Sequence, residues 1–273
     1  MKVVNDKLQG VEFVKSDNVG GALDPDTLVI HYTAGRDAKS AVRTLTSPNV
    51  KASAHLVVGR DGSVTQLVPF NVVAWHAGKS AYGGRTGFNQ YSIGIEIDNA
   101  GLLSRQGDTY TAWFGRVYQQ KEVLRAVHRN ETLPQYWHRY TEEQITLVEE
   151  ICDLLINAYN IKMILGHEEI SPGRKIDPGP AFPLDKLRQK LLHGHRHEDE
   201  GEAIPFPVPG VIKAGKLNIR SGPTVHADRI AKPLMQGKQV TVKEMSKDWY
   251  RVSAEIEGWV SAQFVELQEE TEV

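Results

Sequence analysis

TLVIHY, residues 27–32, decides the fold. It is an apolar run of strand length, too short for a buried helix, so it reads as a buried strand whose end delivers His31. SIGIEID, residues 92–98, is a second strand, in which Glu96 falls where a buried strand usually carries something inert. Between them, Ala54 to Val58 and Ser63 to Val68 flank Arg60-Asp61-Gly62, a hairpin signal with glycine where a positive φ is needed. Asp37 to Leu45 reads as a helix. Strands interleaved with helical segments predict an α/β domain, a mixed β-sheet flanked by helices.

Further along, Thr141 and Gln144 form a capping box. They open a helix with Ile145, Val148, Ile151, Leu155 and Ala158 as its apolar stripe. The single cysteine, Cys152, lies in this apolar-periodic stretch and reads as a core thiol; alone, it excludes an intrachain disulfide. Leu184 to Leu192 predicts the helix that closes a first domain over residues 1–193. Residues 194–210 read as a linker, polar in HGHRHEDEGE (193–202) and proline-rich in IPFPVPG (204–210). His193, His195 and His197 alternate there, a pattern more often incidental in a solvated linker than a metal site. Over residues 211–268, KLNIRSGPT, QVTVKEM, DWYRVSA and EGWVSAQFVEL give short β-rich runs between turn signals, the pattern of a small all-β barrel. LNIRSGP and GWVSAQFVEL resemble bacterial SH3-type domains, which implies a cell-wall-binding role. Trp249, Tyr250 and Trp259 are candidates for its groove or its core.

The formal net charge of −2 argues against a general nucleic-acid binder. No apolar run reaches the roughly 18 residues of a membrane span. MKVVNDKLQGVEF at the N-terminus has no continuous apolar core of a secretory signal. The expectation is a protein that stays in the cytoplasm until lysis releases it, as a phage or prophage endolysin does, or that leaves by another route.

The chemistry gathers in GHEEISPGRKID, residues 166–177. An imidazole and a carboxylate ten residues apart, His167 and Asp177, suit two ligands of a zinc ion. A third ligand from a distant strand would leave a fourth position open for water, as hydrolytic sites require. No HExxH motif is present, since HEEIS lacks the second histidine.

Five ordered words carry a resemblance over residues 24–192: VIHYTAG (29–35), ASAHLVVGRDG (52–62), AWHAG (74–78), SIGIEIDNAG (92–101) and GHEEISPGRKIDPGP (166–180). In these the chain resembles the zinc-dependent N-acetylmuramoyl-L-alanine amidases, which share their fold with peptidoglycan-recognition proteins. The resemblance implies one Zn2+ per chain, held by His31, His167 and Asp177. It also implies Glu96 as the base that moves the proton of water to the leaving nitrogen, and Lys175 as the fixed charge that stabilises the oxyanion. His55, His76, Tyr32, Asn99 and Arg174 are the expected substrate contacts, with a histidine alternatively ordering the surroundings of the metal. Some relatives carry a tyrosine immediately before the position of His55. Here Ala54 stands there, which leaves proton transfer to Glu96.

The implied reaction is hydrolysis of the amide between the lactyl group of N-acetylmuramic acid and L-alanine of the stem peptide. Peptidoglycan or muropeptides are the partners, and the SH3-like domain tethers the enzyme to the wall. Two readings compete: a peptidoglycan-recognition protein that binds without cutting, and a zinc peptidase acting within the stem peptide. Recognition proteins commonly lack a ligand or the acid–base pair, and here all five residues are present. Residues 102–139 match none of these words. Their aromatics, Trp113, Phe114, Tyr118, Tyr136, Trp137 and His138, either wall a sugar–peptide groove or cap the core.

Overall fold

The computed structural model describes residues 1–194, 207–213, 215–223, 227–246 and 249–255. The chain divides into two compact units, Met1–Asp199 and Glu200–Val273. Besides short strand pairs, the first half of the first unit holds β1 (Glu12–Phe13), β2 (Thr27–Tyr32), α1 (Ala38–Thr46), β3 (Leu56–Val58), β4 (Val64–Gln66) and β5 (Ser92–Ile97). Five strands follow: β6 (Leu102–Gln106), β7 (Thr109–Thr111), β8 (Val117–Tyr118), β9 (Val123–Val127) and β10 (Pro134–His138). It ends with α2 (Glu142–Ala158), β11 (Met163–Gly166), α3 (His167–Ile170) and α4 (Leu184–Gly194).

The central sheet is six-stranded and mixed, in the order β11-β2-β5-β3-β4-β1. Strands β11, β2, β5 and β3 run parallel, and β4 turns back antiparallel through the hairpin at Gly62, whose φ is +76°. Parallel strands covered on both faces carry apolar side chains on both. Leu28, Ile30, Ile93 and Ile95 pack with Val148, Ile151, Cys152 and Leu155 of α2. Val29 belongs to a separate buried cluster with Phe88, Leu165 and Ile170. The Thr141–Gln144 box caps α2 with both reciprocal bonds, and Asp37 caps α1 through Ser40. Cys152 is buried, as its reading as a core thiol expects, and the stripe on α2 departs from the sequence reading at Gln144, which is buried, and at Ala158, which is exposed. Gln144 is satisfied there because its amide donates to the carbonyl of Asp98 at 2.8 Å.

Residues 102–139 form a second, five-stranded antiparallel sheet in the order β8-β7-β6-β10-β9. One face encloses a small core of Leu103, Tyr110, Tyr118 and Val123. From β10, Trp137 is buried and stacks on His128.

In the second unit, Val208–Val211 (β12) pairs with Gln239–Ser246 (β13), which pairs with Trp249–Ser253 (β14), all antiparallel. Ile212, Val240 and Val242 are its buried core. The linker reading of residues 194–210 is corrected at its end, since Val208–Val211 is strand. Pro209 is admissible because β12 lies at a sheet edge, where a missing N–H breaks no ladder. Trp249 is half-buried and Tyr250 exposed. Trp259, EGWVSAQFVEL, and the side chains of His193, His195 and His197 lie outside the described residues.

Candidate metal centre

Two parallel strands begin the site. β2 and β5 pair in register with Glu96 opposite His31, and in-register neighbours of a parallel pair present their side chains on the same face. Leu28 and Ile30 pack on α2, so the alternation turns His31 and Glu96 to the other face. Both sit at the carboxyl ends of their strands, where open α/β sheets collect ligands. β11 ends at Gly166 beside Ile30, which releases His167 next to His31. The chain then loops back, and the N–H of Glu168 donates to the carbonyl of Asp177 at 2.8 Å.

The result is a triangle of buried atoms. Nδ1 of His31 lies 2.9 Å from Nδ1 of His167 and 2.9 Å from Oδ2 of Asp177, and Nδ1 of His167 lies 3.0 Å from the same oxygen. The partners of the rings fix their tautomers. Nε2 of His167 lies 3.2 Å from the carbonyl of Ala77, which can only accept, and 3.3 Å from Nη2 of Arg174, whose two hydrogens have the nearer oxygens of Lys79 and Ser171 to bond, so Nε2 carries the proton. Nε2 of His76 faces the carbonyl of Ser92 at 3.2 Å, which leaves its Nδ1 to accept from Nε2 of His31 at 3.0 Å. Both ligand imidazoles therefore turn an Nδ1 lone pair toward a carboxylate oxygen. Burial, with His167 beside it, pushes the His31 imidazole down to about 4, so it is neutral near pH 7. Three acceptors at hydrogen-bond distance with no proton between them call for a cation, and a two-imidazole, one-carboxylate set suits zinc. Among the described residues, His31, His167 and Asp177 are the group able to hold a metal ion.

A cavity of about 200 Å3 opens beside the triangle, lined by Tyr32, Trp75, His76, Glu96 and Lys175 as well as His167 and Asp177. Oε2 of Glu96 is buried with no hydrogen-bond partner among the described residues. Burial and then the charge of Asp177 push its carboxyl well above the ordinary range, against the pull of Lys175. A carboxyl with one buried oxygen unpartnered and a raised proton affinity, facing a cavity that also holds a lysine, is equipped to take up and return a proton.

The structure gathers His76, Glu96, His167, Lys175, Asp177 and Tyr32 at this cavity, with His31 against His167 and Asp177, and places the other expected contacts elsewhere. His55 is fully buried; Nε2 donates to the carbonyl of Val72 at 2.9 Å, and Nδ1 accepts from the N–H of Gly94 at 3.0 Å. With both nitrogens committed to backbone it pins strands together and does not reach substrate. Asn99 is likewise buried, its amide donating to the carbonyl of His138 and accepting from the N–H of Gly101. Arg174 spends Nη2 on the carbonyls of Ala77 and Lys79 and on Ser171, cross-linking the loops that carry Ala77 and His167. His76 orients His31, and both its ring nitrogens are engaged in doing so. Gly94 makes room for that ring, since a Cβ there would lie 2.4 Å from Cγ of His76.

One brace carried no signal in the sequence. Glu168, adjacent to His167, is buried with Oε2 2.6 Å from Nε2 of His128 and 3.0 Å from the N–H of Gly179, while Nε of Arg129 lies 2.7 Å from Oε1. It ties the loop that carries His167 and Asp177 to the residues that follow β9. Its partners are 11 to 40 residues distant, so no local pattern announces it.

Residues 21–180 match the family described as N-acetylmuramoyl-L-alanine amidase, and residues 215–266 match the bacterial SH3 domain. The chain is 35% identical over 172 residues to the N-acetylmuramoyl-L-alanine amidase AmiD of Escherichia coli, covering 60% of this chain and 52% of AmiD. It is 32% identical over 142 residues to the 1,6-anhydro-N-acetylmuramyl-L-alanine amidase AmpD of the same organism, covering 51% of this chain and 58% of AmpD. The chain thus spans little more than half the length of these relatives. The crystal structure of a selenomethionine derivative of AmpD superposes with a TM-score of 0.51 at 27% identity, over 69% of this chain and 98% of that one.

Proposed function

Because the chain belongs to the N-acetylmuramoyl-L-alanine amidase family, we propose that it hydrolyses the amide joining the lactyl group of N-acetylmuramic acid to L-alanine of the peptidoglycan stem peptide. The observation that carries this reading is the cavity in which three proton-free acceptors converge beside an unpartnered buried carboxyl and a lysine. His31, His167 and Asp177 would hold Zn2+. When bound, the ion supplies Lewis acidity, which lowers the pKa of water and polarises a carbonyl. Glu96 accepts the proton of the attacking water at its carboxylate and returns it to the amine nitrogen as the C–N bond breaks. Lys175 places a fixed positive charge where negative charge develops on the former carbonyl oxygen. His76 keeps Nδ1 of His31 free by accepting its Nε2 proton. The second unit, which matches the bacterial SH3 domain, raises the local concentration of enzyme on a polymeric wall.

Mass spectrometry of the products from purified peptidoglycan tests the reading. Free stem peptides beginning with L-alanine, lost on chelation and restored by Zn2+, are the expected result. Intact polymer despite bound zinc and good affinity for the wall would make the protein a recognition module. Cuts within the stem peptide would make it a peptidase.

A further inference from the structure

Trp113 is the most exposed large apolar side chain among the described residues, at 78%, yet it is held in place. It sits in the β7–β8 turn, which is closed by bonds from the N–H of Ala112 to the carbonyl of Arg116 and from the N–H of Gly115 to that of Ala112. Its indole Nε1 donates to the carbonyl of Ala34 at 2.7 Å. Phe114 meets the ring edge-on, with centroids 5.7 Å apart, and Arg36 lies over Phe114. Ala34 has the left-handed φ of +48° and lines the metal-centre cavity. The turn of the second sheet thus reaches the lip of that cavity, and an indole stands there with its only donor spent.

A single exposed apolar side chain is ordinary on a protein surface, but an indole held by a hydrogen bond at the mouth of this cavity presents a fixed aromatic face to whatever the cavity takes in. With N–H already bonded, the ring has only its π-faces to offer a ligand. Those faces carry the negative end of the aromatic quadrupole and match a surface of C–H groups. A pyranose ring has such a face, with its hydroxyls directed to the rim. A stem peptide is recognised instead through amides and charges, which this ring cannot answer. We propose that Trp113 is a stacking platform for a sugar ring of the glycan strand next to the N-acetylmuramic acid whose amide is cut. The proposal rests on the amidase reading above. It makes a chain of several sugars, rather than a single-sugar muropeptide, the preferred substrate.

The test compares kcat/KM on glycan-linked peptidoglycan with that on a single-sugar muramyl peptide for wild type, Trp113→Ala and Trp113→Phe. The ratio of the two is expected to fall about tenfold in Trp113→Ala, the equivalent of about 1.4 kcal/mol, through KM rather than kcat. Trp113→Phe keeps a ring face but loses the bond to Ala34, and is expected to restore most of the ratio. An unchanged ratio in Trp113→Ala overturns the proposal. So does an equal loss on both substrates that phenylalanine fails to rescue, which would make the side chain only a strut for Ala34. Calorimetric binding of a soluble, peptide-free glycan tetrasaccharide separates this failure from that of the amidase reading. If wild type cuts neither substrate but Trp113→Ala binds the tetrasaccharide about tenfold more weakly, the platform stands and the amidase reading falls. Equal binding by both proteins removes the platform.

Discussion

Glu96 lies on β5 and His55 immediately before the neighbouring strand β3; both carry ionisable side chains into the protein, and their partners assign them opposite work. His55 has a backbone acceptor on one nitrogen and a backbone donor on the other, so nothing remains for a ligand. Glu96 has an oxygen with no partner and a raised proton affinity, so everything remains. Sequence reasoning could see that a glutamate on SIGIEID was out of place, because an apolar strand makes a carboxylate conspicuous. It could not see that His55 was satisfied, because the satisfying groups are backbone atoms of Val72 and Gly94, which any residue could supply. Glu96→Gln keeps the shape and removes the proton acceptor. The expected outcome is a kcat lowered by about 10²–10⁴-fold, the usual contribution of general acid–base catalysis, with metal stoichiometry unchanged when measured by atomic emission. A loss of less than about tenfold at full metal content would take Glu96 out of the proton transfer.

At the scale of elements, the strands that were legible are those with one kind of environment. TLVIHY and SIGIEID are buried on both faces, so nearly every residue is apolar, and the words stand out. The strands of the second sheet are two to five residues long and include LLSRQ and VLRAV, whose arginines read as loop. Their pairing is also non-local, since β6 joins β10 across about thirty residues, and no turn signal announces that. The same non-locality hid the Glu168 brace. Between elements that were read correctly, His55 joins β3 to the middle of β5, and this joint titrates. Burial holds its imidazole at about 4 in the folded protein against an ordinary value of 6.5. Protonation would also set a proton on Nδ1 against the N–H of Gly94. The unfolded chain therefore binds a proton below about pH 6.5 that the folded protein takes up only near pH 4. The contribution of His55 is full above pH 6.5 and is lost as the pH falls through that window, to a limit of roughly 3 kcal/mol. Urea titrations at several pH values between 7 and 4.5 should show stability falling with acid. His55→Gln, less stable at pH 7, should flatten that slope by up to about 1.4 kcal/mol per pH unit. A variant slope equal to that of wild type would mean that another group carries the acid sensitivity.

For the whole molecule, the three acceptors are separated along the chain by far more than they are in space: His167 is 136 positions from His31, and Asp177 is 146. Only folding of the central sheet brings them within 3 Å of one another, so an unfolded chain has no comparable site. A metal ion is then a ligand of the native state alone, and its binding free energy adds to the stability of the unit that carries the site. The three acceptors also repel one another when no cation lies among them, which sharpens the difference between the metal-free and metal-loaded protein. At a free Zn2+ concentration a thousand times Kd, the gain is about 4 kcal/mol. For a unit of this size each kcal/mol moves the midpoint by about 2–4 °C, so the transition of the first unit should rise by roughly 8–16 °C on loading and fall again on chelation. Differential scanning calorimetry of the full chain reads this directly. His31→Ala is the control, because the alternating histidines at 193, 195 and 197 could bind zinc without reference to the fold. The shift on loading should vanish in that variant, and its metal-free transition should lie below that of wild type because His76 loses its donor. A shift that survives His31→Ala would place the stabilising ion somewhere other than the triangle of His31, His167 and Asp177, and the catalytic reading of that triangle would lose its physical basis.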